Sequence, residues 1–166
     1  LDINPQMIGI MGFSAGGHLA STASTHFDNA YISNPLNTSL RPDFSILGYP
    51  VISFTDSLTH MGSRDNLVGK NPSQEMIRNF SNELQVTEKT PPTFLVLASD
   101  DKTVNPENSI EYYEALLKHK VPAEMHIYEN GGHGFDTHIL AGNTWMETLK
   151  HWMENKGYLD QEEYGK

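Results

Sequence analysis

Short apolar runs alternate along this chain with stretches in which apolar residues recur every third or fourth position. Met7-Ile8-Gly9-Ile10-Met11, Phe44-Ser45-Ile46-Leu47-Gly48, Thr93-Phe94-Leu95-Val96-Leu97-Ala98 and the segment Ala123–Tyr128 read as four strands. The first is apolar on both faces, as a parallel strand covered by helices on each side must be. A helix of small residues is predicted from about Ala15 to His26. In Asn71-Pro72-Ser73-Gln74 the Asn is placed as N-cap, with Pro in the first helical position and Gln at N3. That helix is expected to end near Asn79 or Phe80. Asn105-Pro106-Glu107 repeats the cap signal, and Ile110, Tyr113, Leu116 and Leu117 then share one helical face. Trp145, Leu149, Trp152 and Met153 form the stripe of a last helix. Asn29–Pro42 reads as a loop and Val51–Lys70 as a long irregular excursion; the acidic tail Leu159–Lys166 is expected to fray. The alternation of strand and helix predicts an α/β fold, a parallel sheet of about four strands flanked by helices.

Composition narrows the function classes. The 166 residues suit a single domain, 1–166. No run approaches the ~20 apolar residues of a membrane-spanning helix. The net charge of −10 opposes binding to nucleic acid or to an anionic membrane. The absence of cysteine removes disulfides, thiolate metal sites and a Cys nucleophile. Among the eight histidines no pair has metal-binding spacing, so neither a metal nor a cofactor is expected.

The chemistry begins at Gly12-Phe13-Ser14-Ala15-Gly16, a G-x-S-x-G sequence between an apolar strand and a helix. In that setting the serine sits on a sharp strand-to-helix turn that exposes its hydroxyl. Gly12 and Gly16 are read as the residues that let the turn close without a Cβ clash. The N–H of Ala15, at the helix N-terminus, is placed to receive developing negative charge. Serine is a weak nucleophile and needs a base, and the base needs an orienting acid. His133 lies in Gly131-Gly132-His133-Gly134-Phe135, directly after the fourth strand. His18, His26, His60, His119, His126, His138 and His151 lack such a setting and are read as surface or capped core residues. After the third strand come two adjacent carboxylates, Asp100 and Asp101, of which only one can serve His133. The order Ser…Asp…His matches the α/β-hydrolase order and neither that of chymotrypsin nor that of subtilisin.

The runs Gly12–Ala20, Gly48-Tyr49-Pro50-Val51-Ile52-Ser53, Gly62–Gly69 and Gly131–Phe135 resemble bacterial acetyl esterases of the α/β-hydrolase fold. More narrowly they are similar to the acetyl xylan esterase and feruloyl-esterase-like group. Asp101-Lys102-Thr103-Val104-Asn105-Pro106-Glu107-Asn108-Ser109 is similar to that group's acid loop, with Asn105 where the group usually has Pro; this favours Asp101 over Asp100. The resemblance implies a carboxylic ester hydrolase with Ser14, Asp101 and His133 as triad and Ala15 N–H in the oxyanion hole. It implies small esters or acetylated carbohydrates as substrates.

The same resemblance implies that the chain is the C-terminal portion of an α/β-hydrolase. The family's N-terminal strands and the His-Gly-Gly loop that supplies further oxyanion donors have no counterpart here. The strand Met7–Met11 is then an apolar sheet edge, expected to be covered by the missing part or by another chain. Two alternatives stand beside the esterase: a serine peptidase of the prolyl-oligopeptidase type, with the same triad order, and a half-domain without catalysis.

Overall fold

The computed structural model describes residues 4–55, 57–135 and 144–159. Four parallel strands, β1 (Gly9–Phe13), β2 (Phe44–Gly48), β3 (Thr93–Ala98) and β4 (Ala123–Tyr128), pair in sequence order. Around them lie α1 (Ala15–Thr25), α2 (Met61–Val68), α3 (Gln74–Asn79), a 3-10 turn (Asn82–Gln85), α4 (Glu107–Lys118) and α5 (Thr144–Asn155). His138 and the tail beyond Leu159 lie outside the described residues.

Strand periodicity builds two cores, one on each face of the sheet. Phe44, Ile46, Phe94 and Val96 pack with Trp145, Leu149 and Trp152 of α5. Leu47 and Leu95 point the other way and pack with Ala20 of α1 and Tyr112 and Leu116 of α4. β2 and β3 are buried on both faces, as the continuous apolar runs require. β1 is an edge of this sheet, with its Met11 47% exposed and Ile8, just before it, 54% exposed.

Four local expectations need correction. β1 runs over Gly9–Phe13 rather than Met7–Met11. Its ladder starts only where Gly9 meets Phe44, while Ile8 is engaged with Asp43 just before β2. The N-cap of α3 is Ser73, not Asn71, because the Ser73 hydroxyl accepts from the Met76 N–H at 3.2 Å. The excursion after β2 contains α2, capped by the His60 side chain. Its one buried residue is Arg64, so it carries no buried apolar stripe to read. Gly16 is not sterically required: a Cβ there meets no described atom within 4 Å. Gly12 and Gly17 are the positions of close approach. A Cβ on Gly12 would collide with the carbonyl of Gly16, and one on Gly17 would lie 2.5 Å from Pro50 Cβ.

α1 buries a polar face. His18 Nε2 donates to the Phe80 carbonyl at 2.8 Å and its ring stacks on Phe54, centroids 4.4 Å apart. His26 Nε2 meets the Asn79 carbonyl at 2.9 Å. Asn82 Nδ2 donates to Ser21 Oγ and Thr22 Oγ1 at 2.7 and 3.0 Å. These bonds bolt the helix that carries the serine turn to the segment 79–82. A second bolt is Asn108, wholly buried. Its Oδ1 accepts from Ile52 and Ser53 N–H, and its Nδ2 donates to the Leu58 carbonyl, fixing the excursion after β2.

Two outcomes follow for stability. Gly12→Ala should destabilise by about 2 kcal/mol or more, because the obstacle is backbone. Gly16→Ala should stay within about 1 kcal/mol of the parent. Equal losses in chemical denaturation would contradict these packing roles. Burial lowers the His18 pKa below its ordinary value of 6.5, outweighing the bond to Phe80 and aided by nearby His26. The folded state therefore binds this proton later than the unfolded chain does. Stability from neutral His18 is complete above about pH 6.5 and falls as pH drops from there toward the lowered folded value. His18→Gln should shrink the difference in melting temperature between about pH 7.5 and about pH 5; an unchanged difference would refute the assignment.

Candidate active site

Ser14, the turn residue between β1 and α1, has φ 54° and ψ −124°. This is a left-handed conformation that a non-glycine residue adopts at a cost of about 1–3 kcal/mol. The turn is held from several sides. Ser14 N–H donates to the Gly48 carbonyl, and the Ser14 carbonyl accepts from Gly17 and Val51 N–H, each at 3.0 Å. The strain is thus carried by backbone bonds to the end of β2.

The Ser14 hydroxyl lies 2.8 Å from His133 Nε2, and His133 Nδ1 lies 2.7 Å from Asp101 Oδ2. Asp101 is almost wholly buried, and its other oxygen accepts from Thr103 and Val104 N–H at 2.8 and 3.0 Å. A carboxylate with that set of donors is an acceptor toward His133, so Nδ1 carries the imidazole proton and Nε2 is left free to accept from Ser14. The structure brings together the serine, acid and histidine named from the sequence, at the C-terminal ends of β1, β3 and β4. Open parallel sheets place their ligands at that edge. Ala15 begins α1, so its N–H has no preceding helical carbonyl to bond.

Three contacts were not readable from the sequence. The Tyr49 ring stands edge-on to His133, centroids 4.9 Å apart, and also packs on Phe135. Tyr49 sits just past β2 at φ 35°, with its N–H bonded to the Val96 carbonyl. Asp100 Oδ1 accepts from the Gly132 N–H at 2.7 Å, and that bond, foremost, holds its carboxyl below the ordinary carboxylate range. An apolar cavity of about 270 Å³ starts at Ala15 and runs between α1 and α2, walled by Leu19, Phe54, Asn66 and Leu67. No residue type or spacing announces these contacts; only the run Gly48–Ser53 marked the neighbourhood of Tyr49. Among the described residues no cluster of three or more His, Cys, Asp or Glu could hold a metal, and no helix is long and apolar enough to cross a membrane.

The model of the prolyl oligopeptidase family matches residues 2–158. The chain is 36% identical to an acetylxylan esterase of Xylanibacter ruminicola over 93% of its length, covering 32% of that protein. It is 40% identical to endo-1,4-beta-xylanase B of Butyrivibrio fibrisolvens over 80% of its length, covering 21% of that protein. Among solved structures it resembles the acetyl ester-xyloside bifunctional hydrolase of Caldicellulosiruptor lactoaceticus, with 43% identity and a TM-score of 0.88, covering 96% of this chain and 60% of that one. The carboxylesterase Cest-2923 of Lactobacillus plantarum matches with 25% identity and a TM-score of 0.76, covering 96% and 62%. The chain thus spans a fifth to a third of the curated relatives' length and about three fifths of the solved ones. With a family match from end to end of the sheet, the chain belongs to the prolyl oligopeptidase family and has the α/β-hydrolase fold.

Proposed function

We propose that the protein carrying this chain is a carboxylic ester hydrolase that removes acetyl groups from acetylated sugars or xylan. The observation that carries the reading is the unbroken line of hydrogen bonds from Asp101 through His133 to Ser14, 2.7 and 2.8 Å long. In the reaction His133 Nε2 takes the hydroxyl proton as Ser14 Oγ attacks the ester carbonyl carbon. Asp101 keeps the ring in the productive tautomer and stabilises the imidazolium. Ala15 N–H donates to the carbonyl oxygen as it gains charge. The tetrahedral intermediate collapses, the alcohol leaves with the proton from His133, and the acyl group remains on Ser14. Water then attacks the acyl-enzyme with His133 as base, releasing the acid and restoring the hydroxyl.

Acetyl and xylan as substrate parts are supported by the names of the relatives, an acetylxylan esterase and an acetyl ester-xyloside hydrolase. The apolar groove beside Ala15 offers an apolar surface next to the serine turn for a small acyl group. Ala15 supplies one oxyanion donor; the others, and the strand that pairs with the free edge of β1, belong in this reading to a part of the protein beyond the described residues. The family match favours peptide bonds as the second reading, since prolyl oligopeptidases share the triad order.

Steady-state assays on p-nitrophenyl acetate, acetylated xylan and dipeptidyl amides separate these outcomes. The ester reading predicts turnover of the acetyl esters that falls at least about 10³-fold in Ser14→Ala. An unchanged rate in that variant would remove Ser14 from the chemistry. A clear preference for the amides would replace the esterase by the peptidase.

A further inference from the structure

The loop after β3 is laced to the loop after β4 by three consecutive side chains. Ser99 Oγ donates to the Glu129 carbonyl at 2.9 Å, Asp100 Oδ1 accepts from Gly132 N–H at 2.7 Å, and Asp101 Oδ2 meets His133 Nδ1 at 2.7 Å. Only the third belongs to the proposed triad. The second joins the residue beside the acid to the residue beside the base.

The histidine loop needs such a restraint. Gly131, Gly132 and Gly134 have φ of 149°, 65° and 74°, so the native path lies in regions where glycine is freest and its unfolded alternatives are most numerous. Gly131 is wedged by packing, since a Cβ there would lie 2.6 Å from Phe135 Cβ. At Gly132 no described atom comes within 4 Å of a Cβ position, so nothing is wedged against that side of the chain. What holds it is a hydrogen bond to a charged acceptor, the stronger kind. Asp100 itself is exposed, and its removal opens no cavity.

We propose that Asp100 is a positioning residue for the reaction: by holding Gly132 N–H it fixes the backbone next to His133 and keeps the imidazole within reach of Ser14 and Asp101 together. This rests on the ester-hydrolase reading for its kinetic consequence, though the restraint itself can be tested apart from it. The two neighbouring aspartates then divide one task. Asp101 orients the ring and Asp100 orients the chain that carries the ring.

The test compares D100A and D100N with the parent in the full protein. Asparagine keeps an oxygen that accepts from Gly132 N–H and loses only the charge. D100A should lower kcat on p-nitrophenyl acetate about tenfold, the scale of one lost charge-assisted bond, with KM within about twofold and an unchanged melting temperature. D100N should recover most of that loss. In proton NMR the His133 Nδ1–H resonance should exchange with water faster in D100A than in the parent or D100N. Parent-like kcat in D100A would overturn the proposal. So would a D100N as slow as D100A, a melting temperature that falls in step with kcat, or an unaltered exchange rate. A parent without Ser14-dependent turnover would defeat the ester reading instead, and the NMR comparison would still decide whether Asp100 holds the loop.

Discussion

The parallel register of the sheet is the constraint on which the site depends. Phe13 pairs with Gly48 and Gly48 with Val96, and β3 and β4 run two residues further before ending together at Ala98 and Tyr128, so the loops that follow all leave from one edge. Only in that register can a hydroxyl at residue 14 meet an imidazole 119 positions later at hydrogen-bond distance. A slip of one residue in any pair would turn that strand's side chains to the opposite core. The two cores leave no room for such a slip, because Leu47 and Leu95 on one face and Phe44, Ile46, Phe94 and Val96 on the other are all buried. Packing in the interior therefore sets the geometry at the edge.

Polar bolts finish what packing begins. The loops at the strand ends bury apolar side chains too, Val51, Phe54 and Val104 among them, and their backbone groups must be satisfied wherever they are buried. Asn108 serves both sides of the segment after β2, and Asn82, His18 and His26 tie α1 to the end of α3. Each bond is worth about 0.5–1.5 kcal/mol net, but a broken one leaves a buried partner unsatisfied at about 1–3 kcal/mol. The strain at Ser14 and Tyr49, two adjacent strand ends with positive φ, persists because several such bonds hold it.

The two central strands were the plainest to read because a strand covered on both faces carries a short continuous apolar run. β2, β3 and β4 fall where the runs place them. β1 lies two residues later than its apolar run, because strand limits are set by the partner, and Phe44 begins the ladder. α2 was hidden because its buried residue is an arginine and, of its apolar side chains, Met61 and Leu67 are exposed and only Val68 packs on a core cluster. For the site, Ser14 and His133 carried local signals, glycine settings at the ends of strands. Asp101 did not: pattern left it level with Asp100, and the resemblance of its loop chose between them. In the structure the two carboxylates face different targets, one the ring and one the backbone of the same loop. Tyr49 and Asp100 act across strands, and such contacts exist only once the register is known.

In the proposed reaction Ser14 is a nucleophile made reactive by His133. Covalent trapping reads it directly. A fluorophosphonate incubated with the protein, followed by mass spectrometry of the digested chain, should give a single adduct on the peptide containing Ser14, formed far more slowly in His133→Gln. Absence of an adduct, an adduct on another residue, or equal labelling of the His133 variant would contradict it.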